Sequence, residues 1–145
     1  EVEEANMLLG KTDVKGQGII ITLDNGEEEG IELTSISTED LVELINELKL
    51  AGAEAISINE KRIIATSDIA EVGYSAIRLI NNERTTAPYI IKAIGDIKYL
   101  QSALNIKGGY VDSALAYGHK IKIETQENMT IEKYKKDITM DYVKK

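Results

Sequence analysis

The run Gly16-Gln-Gly-Ile-Ile-Ile-Thr-Leu-Asp24 limits what this chain can fold into more than any other stretch. Three consecutive β-branched residues, Ile19 to Ile21, lose side-chain freedom in a helix and fit a pleated strand. Glycines bound the run on one side, and Asn25-Gly26 is a turn signal on the other. The run therefore predicts a buried central strand. With 145 residues, 43% of them apolar, the chain has enough material for one domain and a proper core.

Helical periodicity begins after an acidic, glycine-interrupted stretch, residues 27–35, that reads as a mobile loop. Ser37 can accept a backbone N–H of a first helical turn, and Glu39 and Asp40 face the positive end of its dipole. Leu41, Leu44, Ile45 and Leu48 then fall at i, i+3, i+4 and i+7, which predicts one buried face, with Gly52 as the left-handed stop. Residues 53–58 and 62–66 read as strands joined through Asn59-Glu60-Lys61. Further strands are predicted at 76–80 and 89–94, with Asn81-Asn82 as a turn between them. Asp96 caps a helix carrying Ile97, Leu100 and Leu104; Lys107-Gly108-Gly109 breaks it, residues 111–117 form another helical piece closed by Gly118, and 120–125 alternate as a last strand. This order predicts an α+β fold, a ferredoxin-like split βαβ sheet with helices on one face and an extra hairpin.

At the front, Val2, Ala5, Leu8 and Leu9 approach heptad spacing and stop at Gly10, too short a helix to stand alone. It reads as the last turns of a coiled-coil stalk entering from upstream, in a chain that starts at Glu1 and not at Met. The expected organisation is the end of a stalk helix at 1–12, an α+β domain at 13–128, and a Lys-rich tail at 129–145 that adds an edge strand or frays.

Composition removes several function classes. Without Cys there are no disulfides, iron-sulfur clusters, thiolate zinc sites or cysteine nucleophiles, and one histidine, His119, excludes a multi-histidine metal site within a chain. A net charge of −8 argues against binding a nucleic-acid backbone. The charge is split: the first 60 residues hold 15 Asp/Glu against 3 Lys, and the remainder holds 10 against 14 Lys/Arg. Such a split gives two solvated faces, or a dipole that steers a partner. No apolar run approaches the roughly 18 residues that cross a bilayer as a helix.

Few motifs carry chemistry. Gly16-Gln-Gly18 precedes a strand, whereas a phosphate loop follows one and opens a helix. Asp24, Glu27, Glu28, Glu29 and Glu32 are rich in oxygen but lack the register of a calcium loop. A hydrolase using His119 with Ser102 or Ser113 lacks a nucleophile elbow. The more pointed cluster is Asn59, Arg62, Thr66 and Ser67, where one of only three arginines stands beside hydroxyls and an amide and could hold a carboxylate or phosphate bidentately. The competing reading is a structural role for Arg62, through an ion pair with Glu54, Glu60 or Asp68 or pairing across the hairpin. Tyr89, after Pro88, marks a candidate rim of the same ligand site. Neither a cofactor nor a metal is called for.

Several segments together resemble a known family: Gly18 to Asp24, Asp40-Leu41 with Ile45-Asn46-Glu47-Leu48, Ala51-Gly-Ala-Glu-Ala-Ile-Ser-Ile-Asn59, Arg62, Ala65-Thr66-Ser67, Pro88-Tyr89, Ala93-Ile-Gly-Asp96 and Gly108-Gly109. On these the chain resembles the bacterial domain-of-unknown-function family 881, the YlxW/YlxX-like proteins sometimes labelled division initiation proteins. The resemblance implies a single-pass membrane protein with a short N-terminal anchor, a coiled-coil stalk and an extracytoplasmic domain, associated with cell division. It transfers no catalytic residue. Where the family often has Asn-Gly, this chain has Asn59-Glu60, which weakens the expectation of a type I′ turn. The expected function is a non-enzymatic interaction domain with protein partners from division or envelope assembly. It would be a homo-oligomer through the upstream coiled coil, with no nucleic acid and with membrane contact only through an upstream anchor. The alternative is a small anionic-ligand sensor built on Arg62, Thr66 and Ser67.

Overall fold

A computed structural model of the chain describes residues 10–28, 31–34, 36–65, 67–72 and 77–135. The isoleucine run forms β1 (Val14–Asp24), with Ile19, Ile21 and Leu23 turned to one face and fully buried. On one side β1 pairs with β9 (Tyr89–Ile94), setting Ile21 opposite Ile91; on the other it pairs with β10 (Lys120–Ile131), setting Ile21 opposite Ile123. β9 also pairs with β4 (Ala55–Ile58), which forms a hairpin with β5 (Lys61–Ile63). The five strands lie in the order β10-β1-β9-β4-β5, every neighbouring pair antiparallel.

The helix between β1 and β4 forms as its periodicity dictates. In α1 (Thr38–Leu50) the Ser37 hydroxyl accepts the Asp40 N–H at 3.1 Å, while the Asp40 carboxylate accepts the Ser37 N–H at 2.8 Å, a reciprocal capping box. Leu41, Leu44, Ile45 and Leu48 are its buried face, and Gly52 follows at φ +94°. Ser37→Ala removes one half of this cap and is expected to cost about 1 kcal/mol, read as a lowered midpoint in urea unfolding. Between β9 and β10 lie α2 (Ile97–Leu104), capped by the Asp96 carboxylate on the Lys98 N–H at 2.9 Å, and α3 (Tyr110–Ala116). Leu100 and Leu104 of α2 and Tyr110 and Ala114 of α3 join the α1 stripe over Ile19, Ile21, Leu23, Ile56, Ile58 and Ile91 in one core. The three helices therefore cover one face of the sheet.

A smaller apolar cluster, Val14, Ala55, Ile94 and Ile131, with Met129 against it, lies on the other face. The odd-numbered apolar residues of β10 reach both faces because of a bulge. Gly18 is opposite Gln126 and Gly16 is opposite Met129, so Gln17 faces both Glu127 and Asn128. The extra residue reverses the alternation: Ile121 and Ile123 pack on the helical core, Met129 and Ile131 on the opposite cluster.

Several elements differ from the sequence expectations. Residues 27–35 are not simply a loop: β2 (Gly26–Glu28) and β3 (Ile31–Thr34) pair as an antiparallel ribbon, Glu28 opposite Ile31. Strands of three and four residues are too short to show a period, even where Ile31-Glu32-Leu33-Thr34 alternates, so their pairing leaves almost no trace in the sequence. A second small sheet joins β6 (Ile69–Glu71), β7 (Arg78–Ile80) and β8 (Glu83–Thr85), of which only β7 overlaps an expected strand. Asn81 and Asn82, at φ +54° and +64°, turn β7 into β8, not into β9. The β4–β5 turn has Asn59 at φ +49° and Glu60 at φ +67°, both in the left-handed region that a type I′ turn requires. The Glu60 side chain reaches Lys92 on β9 at 2.8 Å. β10 continues past residue 125 to Ile131 as an edge strand. The expected stalk turns at 1–9 and the tail beyond 135 lie outside the described residues.

Candidate functional site

The residues singled out in the sequence separate into two environments. Asn59, Arg62 and Ser67 are gathered around the β4–β5 hairpin. The Asn59 side chain donates to the Thr85 hydroxyl at 2.6 Å and accepts the Ile90 N–H at 2.7 Å, which ties the hairpin turn to the end of β8 and the start of β9. Ser67 Oγ accepts the Ile64 N–H at 2.7 Å and closes the turn after β5. Arg62 is 3% exposed, and its Nη1 donates to the carbonyl oxygens of Thr12 at 2.9 Å and Glu132 at 3.2 Å. Burial lowers its pKa from the usual value while Asp13 pulls it back. The guanidinium thus sits between the segments that lead into β1 and out of β10. Its own carbonyl accepts from the Asn81 side chain at 2.8 Å, which links the small sheet to β5. A hollow of about 240 Å³ adjoins it, lined in part by Glu54, Ile56, Arg62 and Ile63.

Tyr89 is elsewhere. It is fully buried in the helical core, where burial raises the phenol's pKa and Arg78 opposes the shift. Thr66 lies outside the described residues. His119 is buried beside the Tyr117 ring, centroids 6.4 Å apart, and neither ring nitrogen has a hydrogen-bond partner among the described residues. Among those residues no group of three His, Cys, Asp or Glu is placed to hold a metal, and no helix is long and apolar enough to cross a membrane.

The larger concavity lies on the helical layer, at residues the sequence reading did not select. A groove of about 480 Å³ runs between the end of α1, α2 and the loop before α3, lined by Glu47, Leu50, Gly52, Tyr99, Ala103 and Ile106 among others. Its rim is apolar and open to solvent: Leu50 is 89% exposed, Tyr99 63% and Ile106 59%. Large apolar side chains exposed together around a concavity mark a contact surface more strongly than any one of them would. Among the described residues of the lining, Glu47 is the one that carries a charge. Gly109 heads α3 without a side chain to cap it, and the Glu47 carboxylate accepts the Tyr110 N–H at 2.9 Å in its place. The groove wall is thereby fixed to the helix behind it. The Tyr110 phenol is held protonated well above its usual range, first by burial and then by the carboxylates of Asp40 and Glu43. A sequence signal existed for the groove: Leu50 and Ile106 are large apolar residues that fall outside the buried stripes of α1 and α2.

Comparison with known proteins agrees with this architecture. The chain is 30% identical over 128 residues to the UPF0749 protein Rv1825 of Mycobacterium tuberculosis, covering 87% of this chain and 42% of that protein. It is 27% identical over 133 residues to the UPF0749 protein YlxW of Bacillus subtilis, covering 89% and 57%. The chain thus spans about half the length of these curated relatives. A crystal structure of an uncharacterized conserved protein from Mycobacterium tuberculosis superposes with a TM-score of 0.80 at 28% identity, covering 94% of this chain and 92% of that one. The model of the family described as bacterial protein of unknown function (DUF881) matches residues 1–144, and the chain belongs to that family.

Proposed function

We propose that this chain is a non-enzymatic interaction domain that docks an apolar segment of a protein partner in the groove between α1 and α2. The observation that carries the reading is the open apolar rim of Leu50, Tyr99 and Ile106 above the Glu47 carboxylate. An apolar lining with few polar groups suits inserted side chains, and Glu47, bound to the Tyr110 N–H, holds the wall against which they would pack. The domain stands outside the cytoplasmic membrane on a coiled-coil stalk and serves division or envelope assembly. The heptad-like spacing of residues 2–9 supports the stalk. Dimerisation through such a stalk raises avidity, so a shallow groove suffices. The sheet is read as a ferredoxin-like split βαβ unit with β5 added at one edge. Its support is the order β10-β1-β9-β4 with α1 joining β1 to β4 and the helices α2 and α3 joining β9 to β10.

The test uses the full-length parent protein in its own cell. Leu50→Ser with Tyr99→Ser touches only exposed side chains, so protein level and melting temperature are expected to stay near those of the unaltered protein. The division or envelope defect of a deletion strain is expected to persist with the double variant. Full complementation by that variant would contradict the reading.

A further inference from the structure

We propose that β10 is a self-pairing edge, through which two copies of this chain join their sheets antiparallel about a two-fold axis at Ile123. The proposal does not depend on the groove, the stalk or the membrane. β10 is the outer strand of the five-stranded sheet, and among the described residues nothing pairs with its outer side. An edge this long, twelve residues, offers a row of free N–H and C=O groups that proteins ordinarily shorten, bend or cover. The bulge at Glu127 and Asn128 interrupts it and leaves a regular stretch from Lys120 to Gln126. The middle residue of that stretch is Ile123.

Its charges select the register. Ile121 and Ile123 face the helical core, so Lys120, Lys122, Glu124 and Gln126 alternate onto the helix-free face. Lys122 and Glu124 already lie 3.4 Å apart on that face, with both side chains largely in solvent. Antiparallel pairing centred on Ile123 sets Lys122 opposite Glu124 of the second copy and Glu124 opposite its Lys122, a closed ladder of four alternating charges. Lys120 then meets Gln126, and Ile121 meets Thr125. Moving the centre by one residue puts Lys122 opposite its own copy, or Glu124 opposite its own copy, and like charges directly across strands repel. The same two-fold brings the two α3 helices toward each other on the helical face, because α3 packs on β10. Leu115 and Tyr117, which the monomer leaves exposed at that helix, would gain cover there. An isologous contact of this kind closes on itself and does not propagate.

Sedimentation of the chain at near-physiological salt, where its net charge of −8 is screened, tests the pairing. A monomer–dimer equilibrium is expected. Lys122→Glu should weaken it by about tenfold, since two attractive cross-strand pairs become repulsive. The charge swap Lys122→Glu with Glu124→Lys should restore it, because it rebuilds the same ladder in reverse. All these side chains are exposed, so the variants are expected to fold as the unaltered chain does. A chain that stays monomeric at every concentration, a Lys122→Glu variant that dimerises normally, or a swap that fails to restore dimerisation would each overturn the proposal.

Discussion

Gly18→Ala is expected to destabilise this chain by about 3 kcal/mol or more, the upper range for overpacking a core. A Cβ on Gly18 would run into the backbone oxygen of Ala93 and stand 2.9 Å from both the Ala93 carbonyl carbon and the Ile94 Cα. Those atoms belong to β9, the strand that links β1 to β4 and so to the rest of the sheet. Nothing flexible can yield, so the two central strands must separate. Gly16→Ala is the matched control. Its nearest obstacle is the Cγ2 of the Ile94 side chain at 3.2 Å, which can shift by a few tenths of an ångström, and a cost below about 1 kcal/mol is expected. Urea unfolding of the two variants gives the comparison directly. Equal midpoints would show that β1 and β9 do not approach as described.

Arg62→Ala is the second large effect, expected at about 3 kcal/mol from the loss of a buried side chain and of the donor to two carbonyl oxygens. With the guanidinium gone, the Thr12 and Glu132 carbonyls lose the Nη1 that holds them. Exchange of backbone amides should therefore rise first at residues 10–14 and 131–135. Arg62→Lys should recover only part of the loss, because an ammonium lacks the rigid fork that reaches several acceptors at once. This outcome separates the two readings of the residue. A structural Arg62 shows itself as lost stability; an Arg62 kept for an anionic ligand would leave the unliganded chain nearly as stable as before.

Much of the fold was legible because local signals and burial agree. The stripe Leu41, Leu44, Ile45 and Leu48, the Ser37 and Asp40 cap and the isoleucine run in β1 each have one consistent solution. The three-residue strands β2, β6 and β8 were hidden, since so short a segment has no period to read and its pairing is decided by what packs over it. The stretch of β10 from Gln126 to Asn128 is polar because an edge strand faces water, and polarity there imitates a loop. The Arg62 cluster was found as a cluster, but its chemistry was not. A guanidinium bound by backbone carbonyls looks in sequence the same as one waiting for a carboxylate. Tyr89 could not be assigned to its face before the β1–β9 register was known. The groove draws on residues from Glu47 to Gly109, a distance along the chain that no spacing rule spans.

Site-directed photocrosslinking of the full-length parent in cells tests the central claim most directly. A photoreactive residue is placed at Tyr99 on the groove rim or, for comparison, at exposed Glu83 on the small sheet. Capture of a division or wall-synthesis protein from Tyr99 and not from Glu83, through an apolar segment of that protein and abolished by Leu50→Ser, is the predicted result. Equal capture from both positions, or none from Tyr99, would contradict an interaction domain working through this groove.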